Sequence, residues 1–105
     1  MTSVEGIRAE LLGLRGCERV VWSEGAGDSD PIAIRLRLLA AFATRTSDAL
    51  EYGEPRMLTL SYDDRMIAMA LEPGGGLLAV ISHEPSAIGL AMVKLRQWLL
   101  TRGGA

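Results

Sequence analysis

Cysteine, histidine, lysine and phenylalanine each occur once in this chain of 105 residues, as Cys17, His83, Lys94 and Phe42. A single cysteine excludes a disulfide framework and a thiolate metal cluster. A single histidine leaves little for a catalytic triad or an imidazole metal site, because both need convergent partners. No apolar run reaches the roughly 18 residues of a membrane span, and no signal-peptide pattern opens the chain. A basic excess is missing too. Eleven basic and thirteen acidic residues give a net charge of −2, whereas a nucleic-acid module normally carries a clear positive balance. The ten-to-one ratio of arginine to lysine fits codon bias in a GC-rich genome and carries no functional reading. These absences predict a soluble, cytoplasmic, single-domain protein with no nucleic-acid, membrane, metal or cofactor partner.

What is present is an ordinary globular composition, 49% hydrophobic and 23% charged. A domain of this size buries roughly two-thirds of the surface its unfolded chain exposes, so a real core is expected. Thr2 and Glu5 have capping-box spacing. Val4, Ile7, Leu11 and Leu14 then recur on one helical face, and Gly13 and Gly16 supply a stop. Glu18–Ser23 reads as a strand, rich in β-branched and aromatic residues. Residues 25–30 read as a loop, with Asp30 as N-cap and Pro31 in the first helical position of the next element.

That element, about Pro31 to Tyr52, carries two apolar faces. Ile32, Leu36, Leu39, Ala43, Thr46 and Leu50 fall on one line at about 100° per residue. Ile34, Leu38, Ala41, Phe42, Ala49 and Tyr52 fall roughly opposite. Arg37, Thr44, Asp48 and Glu51 form a narrow polar strip between them. A surface helix of a small domain needs one apolar face. The second face is covered either by the rest of the chain or by a second subunit, and the periodicity alone leaves open which line faces which.

Three strands should follow the stop at Gly53-Glu54-Pro55. Arg56–Asp63 and Arg65–Glu72 alternate around Asp63-Asp64, with Ile67, Met69 and Leu71 on one face. Leu77–Ile81 is a continuous apolar run suited to a central strand. A last helix, about Pro85 to Arg102, places Ile88, Met92, Leu95 and Leu99 in a stripe with Ala91 and Trp98 beside it.

No catalytic constellation emerges. Gly74-Gly75-Gly76 leads into a strand, not into a helix N-terminus that would bind a phosphate, and no G-K-[ST] follows. His83 has no nucleophile or ligand placed beside it. Cys17 is flanked by Arg15 and Arg19, which alone do not make a reactive thiolate site. Asp28 with Asp30, and Asp63 with Asp64, lie in turns and lack the spacing of a calcium loop. The remaining signal is architectural: a two-faced helix followed by a strand suited to a sheet edge, a ready dimerisation surface.

The order of elements resembles that of the Roadblock family. The resemblance is carried by Gly16-Cys17-Glu18-Arg19-Val20-Val21 after a short helix, by the Ala/Leu-rich helix Ile32–Tyr52, and by Gly76-Leu77-Leu78-Ala79-Val80-Ile81. Pro85-Ser86-Ala87-Ile88-Gly89-Leu90 and the final helix complete it. The family includes dynein light chains, subunits of lysosomal scaffold complexes and bacterial gliding-motility regulators of a Ras-like GTPase. It implies an α/β (α+β) sandwich, Roadblock/profilin-like, whose antiparallel sheet of four or five strands has the long helix on one face and the two terminal helices on the other. It implies a homodimer formed through the long helix and the strand after it. The contacts would be Ile34, Leu38, Ala41, Phe42 and Arg45 with Met57, Thr59 and Ser61, the individual residues being assigned by periodicity. It further implies a small Ras-like GTPase as partner, with Arg35, Arg37 and Arg45 as exposed contacts and no catalytic residue in this chain. The family usually has a second strand between the first strand and the long helix, and residues 25–30 offer little to form it. The competing expectation is a monomeric ligand-sensing domain or small enzyme using a groove between helix and sheet.

Overall fold

A strand covered on both sides must be apolar at every position, because successive side chains point to opposite faces. The run Leu77–Ile81 meets that demand. In the computed structural model, which describes residues 4–24 and 30–103, it forms the core of a central strand with every residue buried. Seven elements make up the described chain: α1 (Val4–Leu12), β1 (Cys17–Ser23), α2 (Pro31–Leu50), β2 (Met57–Ser61), β3 (Met66–Leu71), β4 (Leu77–Ser82) and α3 (Pro85–Gly103). The four strands form one antiparallel sheet in the order β1-β4-β3-β2. The meander β2-β3-β4 matches the sequence expectation. β1 pairs with β4, far from it in the chain, in the register Val20 opposite Val80.

The alternation sorts residues into two cores. On one side, Val20, Ala68, Ala70, Leu78 and Val80 meet Ile7 and Leu11 of α1 and Ile88, Ala91, Leu95 and Trp98 of α3. Trp22 and Trp98 meet edge to face, with ring centroids 5.8 Å apart and planes at 89°, the arrangement that the aromatic quadrupoles favour. On the other side, Val21, Met69, Leu71, Leu77 and Ala79 meet Ala33 and Leu36 of α2. This is an α+β fold with the long helix on one face of the sheet and the two terminal helices on the other. The fully buried stripe of α3 runs through Ile88, Ala91, Leu95 and Trp98, while Met92 and Leu99 are only half-buried. The helix is thus rotated slightly from the expected stripe.

The ends of α2 follow local chemistry. Asp30 caps it, its carboxylate accepting from the Ile32 N–H at 3.0 Å, and Pro31 occupies the first turn. The expected stop at Gly53 comes earlier. The helix ends at Leu50, and Glu51 takes the left-handed conformation with φ 60. The Glu51 and Tyr52 N–H groups then donate back to the Asp48 and Ser47 carbonyls at 3.1 and 3.0 Å. Those bonds satisfy two terminal carbonyls without a glycine. Leu50 and Tyr52 are exposed, and the inward line of α2 stops short of Thr46.

Two glycines have positions that need them. Gly16 has φ +81, and a Cβ there would sit 2.5 Å from the Glu84 Cβ. Gly75 has φ +101 in the β3–β4 turn, which the Glu72 N–H closes by donating to the Gly76 carbonyl at 2.8 Å. The glycine run is therefore a hairpin turn. Thr2, the proposed capping residue, and residues 25–29, where a further strand was in question, lie outside the described residues.

Candidate interaction surface

Helix α2 turns one apolar face to the sheet and leaves the other open. Ala33 and Leu36 are buried, with Ile32, Leu39 and Ala40 packed beside them. Opposite them, Ile34, Leu38 and Phe42 are 44%, 67% and 70% exposed. Ala41 and Arg45 share that exposed face, as does Arg35. This decides the ambiguity left by the periodicity: the line through Ile34, Leu38 and Phe42 is the outer one. The Thr44 and Thr46 hydroxyls bond to the Ala40 and Phe42 carbonyls at 3.0 Å, so neither adds a free polar group to the apolar face.

Strand β2 lies at the sheet's edge, with β3 on its inner side. The Leu71 N–H donates to the Arg56 carbonyl and the Tyr62 N–H to the Arg65 carbonyl, each at 2.8 Å. Backbone groups alternate in direction along an antiparallel strand. Residues 56, 58, 60 and 62 therefore bond inward to β3. Met57, Thr59 and Ser61 turn their N–H and C=O groups to the open edge. Their side chains do something else. Met57 packs against the α1/α3 core, and the Thr59 hydroxyl lies 3.9 Å from the Met92 sulfur. The side chains on the α2 side are those of Leu58 and Leu60. The expected strand contacts are thus available through backbone, while the side chains nearest the outer helix face come from the alternate positions.

Arg37 departs from its expected role as an exposed contact. It is half-buried, and its Nη1 donates to the Gly75 carbonyl at 2.9 Å and the Ser23 hydroxyl at 3.3 Å. It ties α2 to the β3–β4 turn. No local pattern signals this bond, since Gly75 lies 38 residues away. A groove of about 250 Å³ opens beside it, between the middle of α2, residues 54–56 and the β3–β4 turn. A further surface that periodicity did not single out is the outer side of α3, where Leu90, Val93 and Leu100 are exposed. Their spacing of three and seven was a readable signal, masked by the apolar composition of the whole helix.

The residues weighed for chemistry stay apart. Burial pushes the Cys17 thiol above its ordinary value, partly offset by a backbone hydrogen bond involving Arg19, so it is no activated thiolate. His83 is exposed at the end of β4, its N–H donating to the Gly16 carbonyl at 3.1 Å. Arg65 on the far side of β4 donates to Glu18 at 3.0 Å, and that bond holds the Glu18 carboxyl below its ordinary range. Among the described residues no three ligand-type side chains gather to hold a metal ion. No described helix is long and apolar enough to cross a membrane. No protein-family model matches the chain, and no curated protein matches it.

Proposed function

We propose that this protein is a homodimeric regulatory or scaffold module, and that its dimer forms through the outer face of α2 and the edge of β2. The observation that carries the reading is the exposed apolar face of Ile34, Leu38 and Phe42 on the helix that leads into an uncharged edge strand. Large apolar side chains grouped on one face mark an interaction site. An unpaired strand edge is a template for another strand. Both elements suit a two-fold axis. Ala41 stands near the middle of α2 and Thr59 at the middle of β2. An isologous dimer then pairs Thr59 with Thr59 of the second copy, and Met57 with Ser61, through the backbone groups turned outward.

Light scattering during size exclusion tests the dimer. Wild type is expected at about twice the chain mass, and Phe42→Asp as a folded monomer. A charge buried without a partner costs several kcal/mol, enough to dissociate a micromolar dimer. A monomeric wild type at micromolar concentration would sink the reading.

The resemblance to the Roadblock family adds a partner, a small Ras-like GTPase. Arg35 and Arg45 are the exposed cations of α2 available to it. Arg37 is withdrawn from that role, because its guanidinium is held against the sheet side. The corresponding measurement is the GTP hydrolysis and nucleotide-release rates of a Ras-like GTPase from the same genome, with wild type and with Arg35→Glu/Arg45→Glu. Rates unchanged by wild type would remove the regulatory half of the proposal and leave the scaffold.

A further inference from the structure

Arg37 is a half-buried cation whose two hydrogen-bond acceptors, the Gly75 carbonyl and the Ser23 hydroxyl, are neutral. Among the described residues no carboxylate pairs with it, although Glu54 and Glu72 line the same groove. Both of its bonds use Nη1. The Nε–Nη2 edge, where two parallel N–H groups match the spacing of a carboxylate, makes no bond among the described residues.

The groove supplies the rest of a binding site. Ala40, Ala41, Pro55 and Pro73 give it apolar walls, and Arg56 stands within it, 4.0 Å from Glu54. A volume of about 250 Å³ corresponds to about eight water molecules at their liquid volume, room for a short aliphatic acid. The two glutamates weigh against a dianion. Anchoring through Nη1 also fixes the guanidinium plane before a ligand arrives, which lowers the ordering cost of binding.

We propose that this groove binds a small monocarboxylate with a short aliphatic chain, the carboxylate bridging Nε and Nη2 of Arg37 and the chain lying along the groove's apolar wall beside Ala40. All its walls come from one chain. Ala41 is shared with the proposed dimer face, whereas Arg37, which would hold the carboxylate, is not part of that face.

The test is an NMR titration of the full chain with sodium butyrate at constant ionic strength, with inorganic phosphate and sodium chloride in parallel. Butyrate is expected to shift the Gly75 and Thr44 amides and the Arg37 Nε resonance saturably, with a millimolar dissociation constant. Arg37→Gln should weaken it about tenfold or more, equivalent to about 1.4 kcal/mol. Thr44→Glu should do the same while leaving the Arg37 ties intact, which keeps the test valid if Arg37→Gln fails to fold. Arg96→Gln, on the exposed side of α3, should bind as wild type does. Non-saturating shifts, a response that chloride reproduces, or undiminished binding by Thr44→Glu would overturn the site. Phosphate binding as tight as butyrate would overturn the assignment to a monocarboxylate.

Discussion

Strand β1 carries Glu18 and Arg19 and shifts register between Cys17 and Arg19, whereas β2 runs from Met57 to Ser61 with no charge and no irregularity. Among the described residues both lie at an edge of the same sheet. On β1, Glu18 is paired with Arg65, and Arg19 with Asp30 at the start of α2. Charges and bulges are the means by which proteins keep an edge from recruiting a foreign strand. β1 has both and β2 has neither. A free edge without protection is consistent with an edge that something covers, and the outer face of α2 repeats the same asymmetry in side chains. The contrast supports the proposed placement of a second copy on the side of β2, away from the bulge.

The largest expected effect serves as the reference. Leu95 is fully buried in the core under α3, so Leu95→Ala should cost about 2–5 kcal/mol of folding free energy by denaturant titration. It acts on the fold that both edges share, whatever the state of assembly. Thr59→Pro separates the edges. Its N–H faces outward, so the inner ladder keeps its bonds and proline is tolerated there. The dimer constant should weaken by about tenfold or more, about 1.4 kcal/mol, seen as a fall in mass on dilution. Glu18→Ala and Arg19→Ala on β1 should leave the mass unchanged; if they alter it and Thr59→Pro does not, the edges have been assigned the wrong way round.

Asp30→Ala comes next. It removes the cap on the Ile32 N–H and the partner of Arg19, and should cost about 1 kcal/mol in thermal unfolding. The smallest effect belongs to Glu18. The bond from Arg65 lowers its folded pKa below the ordinary 4.5. Its contribution is therefore present above about pH 4.5 and disappears as the pH falls through the lowered value. Because the pair is solvated, the effect is small. The difference in melting temperature between wild type and Arg65→Gln should close as acidification protonates Glu18 in the folded state, and a gap that persists once the folded carboxyl is protonated would show that charge is not its origin.

Much of this architecture is local in origin, and that part was legible. The cap at Asp30-Pro31, the alternation of Met69 and Leu71 against Ala68 and Ala70, and the all-apolar Leu77–Ile81 each depend on residues a few positions apart. The candidate surface was half legible. The two faces of α2 could be read, but which one stays open could not, because both are apolar. Met57, Thr59 and Ser61 were placed at the edge, yet their side chains turn to α3, and a periodicity of two does not say which side of the sheet a given set covers. The C-terminus of α2 was misplaced because Glu51, a non-glycine, adopts the left-handed cap.

By itself, then, the sequence determined the element types, their order and the hydrophobic periods, since these follow from backbone geometry within a few residues. Only the tertiary structure decided that β1 closes on β4, that Ala33 and Leu36 face inward so that Leu38 and Phe42 do not, and that Arg37 is spent on a turn 38 residues away. Those outcomes depend on distant residues sharing one buried volume. That constraint acts on the folded chain as a whole and leaves no local pattern.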